Sequence, residues 1–292
     1  MTDRSVEFNR HRRRLQGIAY RMLGSKADAE DMVQETYVRW HQADVERVQT
    51  PEAWLVTAVT RLCIDRLRAA RTEREAYVGP WLPEPLVSEP EQPDRHAELA
   101  SDLSVAFLVM LERLGPEERA AFLLHEVFDC EYPEIARILG KSEAACRQIV
   151  HRARERARQD RPRFQVSDYA RQRLLERIMA AVRAQNHDAL LALFANDATW
   201  TADGGGKAKA ALKIVRGAEH IARFAIGVWR PYLARVTHHY VSINGEPGIL
   251  VCVDGEPKSA MSIDTDGERI LAIYAVLNPD KLKGIALRGI NR

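Results

Sequence analysis

Cysteine is scarce in this sequence, and long apolar stretches are absent from it. The four cysteines form no Cys-x-x-Cys pair and have no histidine at ligand spacing, so we expect neither a zinc site nor a disulfide framework. No apolar run approaches the roughly 20 residues that span a bilayer. The charges near the N-terminus are followed by no apolar segment of the kind found in export signals. We therefore expect a cytoplasmic protein with reduced cysteines, no bound metal and no membrane contact.

Charge is unevenly distributed, although the formal net charge is only +2. Residues 141–163 carry eight Lys or Arg against three Asp or Glu, and residues 61–74 carry five against two. Between them, residues 75–102 carry seven acids against one arginine. Two basic segments that flank an acidic one indicate two nucleic-acid contacts joined by a segment that makes none. The length of 292 residues allows two or three domains.

Residues 131–158 have the pattern of a helix-turn-helix. A short helix ends at Leu139, Gly140 suits the left-handed position that follows a helix, and Ser142 can cap the next one. One side of that second helix is apolar and the opposite side is polar. Arginine can contact guanine bidentately and glutamine can do the same for adenine. The pattern predicts a base-reading face, with a solvated basic helix of a bundle as the alternative. Its residues are Ser142, Arg147, Gln148, His151, Arg152 and Arg154.

Residues 5–75 are predicted to be helical almost throughout. Gly24 ends the first helix, Ser25 caps the second and Pro51 begins the third. The second helix has an acidic outward face, which the helix dipole alone could also favour. The third places an aromatic side chain among arginines, which suits contact with a single nucleic-acid strand. The acidic face comprises Asp28, Asp31, Gln34 and Glu35, and the strand-binding surface comprises Trp54, Thr57, Arg61, Asp65, Arg66 and Arg68.

Proline and acidic residues distinguish residues 76–100 as a linker between two helical domains. Trp81 and Leu82 are unusual in a solvated spacer, because such side chains usually pack against something. From Ser167 onward, helical segments are followed by β-rich runs separated by Asn-Gly and Asp-Gly turns. Helices followed by an antiparallel meander predict an α+β domain over residues 167–292.

The segments DAEDMVQETYVRW and TPEAWLVTAVTRLCIDRLR, together with the helix-turn-helix, resemble regions 2 and 4 of a bacterial sigma factor of the extracytoplasmic function class. The resemblance implies region 2 in residues 1–75 and region 4 in residues 101–163, both all-α. It also implies core RNA polymerase and promoter DNA as partners. The acidic face would dock on polymerase, the third helix would hold the melted minus-10 element, and the helix-turn-helix would read the minus-35 element.

The C-terminal order of elements resembles the NTF2-like, SnoaL-type fold. With WLPEP, DGGGK and NPDKL, it is similar to sigma factors that carry a SnoaL-like extension. The resemblance implies that this domain regulates the sigma regions in cis. From the residues alone, a tight loop with positive φ explains the glycines, and a capped helix start explains NPDKL. The implied contact residues are Trp81, Leu82, Asp203, Lys207, Asn278, Pro279, Asp280 and Lys281.

Two other functional classes remain open at this point. A one-component regulator would combine the helix-turn-helix with a ligand-sensing C-terminal domain, but it leaves the acidic second helix without a role. An isomerase or cyclase could use His238, His239 and Tyr240 with Asp203 or Asp264 as base. No paired carboxylates or nucleophile–base spacing supports that, so we interpret these residues as polar groups of a wet pocket that could bind an unidentified small ligand. We assign no catalytic residue and no cofactor.

Overall fold

The computed structural model describes residues 3–44, 48–88, 104–158, 166–283 and 285. The chain divides into two compact units, of which one comprises Met1–Glu75 and Leu108–Pro162 and the other Ala76–Phe107 and Arg163–Arg292. The first part of the predicted linker therefore groups with the C-terminal part of the chain. Residues 89–100 of that linker and residues 159–165 lie outside the described residues. So do Ser101 and Asp102, one of which we expect from the sequence to cap the next helix.

Four helix boundaries of the first unit lie where the sequence predicts them. Gly24 ends the first helix with a φ of 66° and Gly140 follows the sixth with a φ of 64°. Ser25 accepts a hydrogen bond from the amide of Asp28, and Ser142 accepts one from the amide of Ala145. The helices are α1 (Asp3–Leu23), α2 (Lys26–Gln42), α3 (Pro51–Glu75), α4 (Val105–Leu111), α5 (Pro116–Glu126), α6 (Tyr132–Leu139) and α7 (Glu143–Arg158). The first residues of α4 precede Leu108, where the second segment of the unit begins.

Arginines join the two helical regions within this unit. Arg119 on α5 is 2% exposed and donates to the carbonyl of Met22 at 2.6 Å and to Glu112 at 2.7 Å. Arg14 on α1 donates to the carbonyl of Phe128 at 3.0 Å. A buried charge is costly unless it is paired and hydrogen-bonded. The partners supplied by the other region therefore favour the packed arrangement.

The second unit is built on a seven-stranded mixed sheet. Its strands are β1 (Val87–Ser88), β2 (Phe194–Asp203), β3 (Val215–Arg216), β4 (Val236–Ile243), β5 (Glu246–Val253), β6 (Glu256–Thr265) and β7 (Ile270–Val276), in the order β1-β4-β5-β6-β7-β2-β3. The predicted antiparallel meander is β4 to β7. Two of its turns have positive φ at both central residues, Asn244-Gly245 and Asp254-Gly255, as tight hairpins require. The sequence did not predict that β2 pairs in parallel with β7 or that β1 pairs with β4.

Helices cover this sheet and enclose an apolar core. The core includes Trp200 on β2, whose ring lies 5.4 Å from that of Phe224 on α10. The helices are α8 (Asp168–Arg183), α9 (His187–Leu191), α10 (Ala218–Trp229), followed by a 3-10 turn (Arg230–Tyr232), and α11 (Pro279–Leu282). The predicted fold class, two all-α regions followed by an α+β domain, is confirmed.

Candidate nucleic-acid interface and linker-docking site

Four of the predicted base-reading residues share one surface of the helix-turn-helix. Arg147, Gln148, His151 and Arg152 line an open depression of about 360 Å³ on α7. Their side chains all point to the polar side of the helix, which is the arrangement that a major-groove reading face requires. These four residues therefore share one face of α7, as the sequence predicts.

Two other predicted base-reading residues have partners within the helix-turn-helix. The side chain of Ser142 accepts a hydrogen bond from the amide of Ala145 and so caps α7. Arg154 donates from Nε to Glu126 on α5 at 2.8 Å, and this hydrogen bond raises the pKa of Arg154. Neither residue is among those that line the depression.

Two arginines of the predicted strand-binding surface contact the second helical region. Arg61 on α3 donates to the carbonyls of Ile138 at 2.9 Å and Arg137 at 3.0 Å, which lie at the end of α6. Arg68 donates to Glu117 on α5 at 2.7 Å. A nucleic-acid strand would have to replace these contacts to bind both guanidinium groups. Long-range pairing of this kind leaves no signal in the local sequence.

The other residues of that surface are held within α3 or against α2. The ring of Trp54 lies 5.3 Å from that of Trp40. The hydroxyl of Thr57 donates to a helix carbonyl one turn earlier at 2.7 Å. Asp65 is exposed and pairs with Arg68 at 3.3 Å. The aromatic group is therefore packed at the edge of a surface that also carries exposed charge.

The predicted acidic face on α2 is partly engaged. Asp28 accepts from Arg66 on α3 at 2.9 Å, which joins a predicted polymerase contact to a predicted strand contact. Asp31 and Gln34 are exposed. Glu35 forms an ion pair one turn along the same helix at 2.8 Å. Because exposed pairs contribute little to stability, Asp31, Gln34 and Glu35 remain available for a partner.

A buried carboxylate organises the linker-docking site, which we define as Tyr77, Leu82, Asp203, Asn278 and Lys281. Asp203, at the end of β2, is 0% exposed. It accepts hydrogen bonds from the hydroxyl of Tyr77 at 2.6 Å, the amide of Leu82 at 2.8 Å and Nζ of Lys281 at 2.7 Å. Two of these donors come from the linker, so the linker satisfies a charge that would otherwise be costly to bury.

Lys281 contacts the linker in two further ways. Its ammonium group lies 4.2 Å from the centre of the Trp81 ring and 5.3 Å from that of the Tyr77 ring, both within cation–π range. It also donates to the carbonyl of Leu82, whose side chain is 0% exposed. Burial, and then the hydrogen bond to Asp203, raise the pKa of Tyr77. Trp81 and Leu82 thus pack on the C-terminal domain, which explains their presence in the linker.

The NPDKL and DGGGK motifs meet at this site. Asn278 donates from Nδ2 to the hydroxyl of Tyr77 at 2.9 Å and caps α11 by accepting from the amide of Asp280. A Cβ on Gly205 would lie 2.3 Å from Nδ2 of Asn278, and the φ of Gly205 is 57°, so only glycine fits. Asp280 pairs with Lys207, and hydrogen bonds from Lys207 and then Lys283 lower the pKa of Asp280 to about 2.

The linker also extends the sheet. Val87 pairs with Ile243 at the end of β4. Immediately beside this pair, the amide of Leu86 donates to Oδ1 of Asn244 at 3.0 Å and the amide of Asn244 donates to the carbonyl of Leu86 at 2.8 Å. The sequence indicated Asn244 only as a turn residue and gave no role to Leu86 or Tyr77. A turn in which Asn244 has positive φ suits both functions.

His238 and Asp203 do not form the dyad that the catalytic alternative would require. His238 Nδ1 lies 2.9 Å from a guanidinium nitrogen of Arg183, so it accepts that hydrogen bond. Burial, and then the positive charge of Arg183, lower the pKa of His238. The carboxylate of Asp203 is used by the linker-docking site. In the described part of the chain, no group of three or more His, Cys, Asp or Glu residues could hold a metal ion.

Both helical regions match known family models. Residues 8–73 match the family model Sigma-70 region 2, and residues 104–156 match Sigma-70, region 4. The chain is 38% identical to the ECF RNA polymerase sigma factor SigJ of Mycobacterium tuberculosis, over 97% of this chain and 94% of that protein. The chain belongs to the extracytoplasmic function (ECF) family of RNA polymerase sigma factors.

Further similarities extend along nearly the whole chain. The probable ECF RNA polymerase sigma factor SigI of M. tuberculosis is 29% identical over 95% of this chain and 94% of that protein. The crystal structure of M. tuberculosis ECF sigma factor SigJ covers 97% of this chain and 99% of that chain, with 36% identity and a TM-score of 0.79. An ECF sigma factor directs transcription initiation with core RNA polymerase at promoter DNA and is not an enzyme. No helix of the described ranges is long and apolar enough to cross a membrane.

Proposed function

We propose that the C-terminal domain of this ECF sigma factor modulates transcription initiation in cis by holding the linker between regions 2 and 4. The observation that carries this proposal is the carboxylate of Asp203, which is 0% exposed and accepts two of its hydrogen bonds from linker residues Tyr77 and Leu82. Undocking the linker would leave this charge with Lys281 as its remaining partner. Release of the linker therefore carries an electrostatic cost, and this cost stabilises the docked state.

Docking affects activity because the linker sets the distance that regions 2 and 4 can span. Residues 77–88 are fixed on the C-terminal domain and cannot contribute length to that span. Arg61 and Arg68 meanwhile contact the second helical region. Polymerase and promoter must select an arrangement in which these groups are free, and a docked linker makes that arrangement less populated.

We assign the surfaces of the two helical regions as follows. The acidic face of α2 contacts core RNA polymerase, α3 holds the melted minus-10 strand, and the depression on α7 reads the minus-35 element. Because it contacts polymerase and promoter DNA in this assignment, the protein acts in the cytoplasm. The assignment on α7 is supported by four polar side chains that line one surface.

Transcription by purified core polymerase tests the cis modulation. We expect Trp81→Ala, or replacement of residues 278–282 by a neutral linker, to change transcript yield at a cognate promoter, because both remove contacts between linker and C-terminal domain. Binding of the helix-turn-helix to minus-35 duplex should stay the same. Tyr232→Ala removes a 39% exposed aromatic residue outside the docking site and is the matched control. Parental transcript yields from both docking variants would contradict the proposal.

A further inference from the structure

One arginine of the base-reading depression is already held in place before any DNA is bound. The guanidinium of Arg147 donates from Nη2 to Glu143 at 3.0 Å. Its central carbon also lies 5.1 Å from the centre of the Tyr132 ring. Glu143 is the first residue of α7 and Tyr132 is the first residue of α6. Both helices of the helix-turn-helix therefore contribute to the orientation of one side chain.

Tyr132 is itself fixed by the preceding helix. Its ring lies 4.4 Å from that of His125, on α5, with an interplanar angle of 35°. Nδ1 of His125 lies 3.2 Å from the carbonyl of Cys130, so this nitrogen donates. His125, Tyr132 and Arg147 thus form a row of planar groups to which α5, α6 and α7 each contribute one member. A ring held in this way is a rigid support for the guanidinium.

Such support matters because Arg147 is 57% exposed in its side chain. An exposed arginine samples many rotamers, and immobilising it on binding lowers affinity. A guanidinium has five N–H donors, and Glu143 occupies only one nitrogen of the fork. The remaining donors can still contact O6 and N7 of a guanine. Glu143 and Tyr132 therefore preorganise Arg147 without occupying its full hydrogen-bonding capacity.

We propose that Tyr132 is a positioning residue for promoter recognition, which acts with Glu143 to orient the guanidinium of Arg147 toward a guanine of the minus-35 element. The inference rests on the proposed base-reading role of Arg147. It adds a residue of the first helix, which lies outside the predicted base-reading face. It also predicts a base-specific effect for a side chain that does not itself contact the base.

The test measures binding of holoenzyme, reconstituted from core polymerase and the full chain, to a panel of promoter duplexes. Each duplex replaces one base pair of the minus-35 element. The profile of Arg147→Ala identifies the base pair that Arg147 reads, because discrimination there is lost. Tyr132→Leu should lower discrimination at the same base pair by about 2- to 5-fold, the range of a cation–π contact at an exposed site. Discrimination at the other positions should be unchanged.

Two further variants make the result specific. Tyr132→Phe keeps the ring and should retain the parental profile. Glu143→Ala alters an exposed residue, and so tests the positioning even if Tyr132→Leu disturbs packing. It should reduce discrimination at the base pair read by Arg147 and nowhere else.

Suppose that Arg147→Ala loses discrimination at one base pair, whereas both Tyr132→Leu and Glu143→Ala lose affinity equally at all positions. The positioning role of Tyr132 would then be wrong, and the base-reading role of Arg147 would stand. A profile for Arg147→Ala that is equal at all positions would overturn the base-reading role of Arg147, and the inference with it.

Discussion

Replacing Asp203 by Asn should release the linker while leaving the C-terminal fold in place. The backbone carbonyl of Asp203 accepts from the amides of Leu277 and Asn278 at 2.7 and 2.8 Å, and the substitution does not alter these bonds. The side chain, in contrast, accepts from three donors, one each from Tyr77, Leu82 and Lys281. An amide has only one oxygen, so at least one donor would face an NH2 group.

The magnitude follows from the contacts that are lost. The substitution removes the countercharge of Lys281 and at least one hydrogen bond to a charged group. We expect docking to weaken by about 2–4 kcal/mol, between the value for one charged hydrogen bond and that for a broken buried ion pair. Because about 1.4 kcal/mol corresponds to a factor of ten, the population of undocked linker should rise about 30- to 700-fold.

Native-state hydrogen exchange measures this change directly. The amide of Leu86 is the best reporter, because it donates to Asn244 and its own acceptor is not altered by the substitution. The protection of the Leu86 amide against exchange should fall by about 30- to 700-fold, while the amides of β5 stay protected. Asp197→Asn, at an exposed position of the same strand, should leave Leu86 protected as in the parent. Parental protection of Leu86 in Asp203→Asn would refute the reasoning.

Three further predictions concern other parts of the chain. Reversing Asp31 and Glu35 to Lys should abolish co-purification with core polymerase. Helix α2 should stay folded, because exposed helix charges contribute little to stability. The control is the same double charge reversal at two exposed acids of the C-terminal unit. Arg119→Leu removes the side chain that donates from region 4 to the carbonyl of Met22 in region 2. The packing of the two regions should weaken by about 1–3 kcal/mol, seen as lower energy transfer between dyes on α1 and α5, and unchanged transfer would contradict this. The pKa of His238 is lowered in the folded chain, so the unfolded chain binds more protons than the folded chain as the pH falls below the ordinary histidine pKa of about 6.5. The free energy of unfolding of the C-terminal domain should therefore fall as pH decreases through that value. In denaturant titrations, His238→Gln should remove this dependence.

Signals that depend on neighbouring residues could be predicted from the sequence. Gly140, Ser142 and the Asn244-Gly245 turn each meet a backbone requirement that few residue types satisfy. The same local periodicity predicted that Arg147, Gln148, His151 and Arg152 share one face of α7, where they line the depression. Spacing along α7 does not indicate that Arg154 pairs with Glu126, because Glu126 lies on another helix.

The partners of charged groups at long sequence separation could not be predicted. Asp203 meets Tyr77 across 126 positions, and Arg61 meets Ile138 across 77. No local pattern relates the members of such pairs. The parallel pairing of β2 with β7 could not be predicted for the same reason, because β3, α10 and the first three strands of the meander lie between them in the sequence. The similarity of the motifs to those of related sigma factors indicated that the linker makes a contact, but not which atoms form it.

The pairing of β1 with β4 also has a consequence for the proposed release of the linker. Ser242 and Ile243 lie at the outer edge of the sheet, where β1 covers them. An uncovered strand edge presents backbone donors and acceptors that can pair with another chain. The undocking that we propose would therefore expose a short template for strand exchange or aggregation. Variants with a permanently released linker should be less soluble at high concentration.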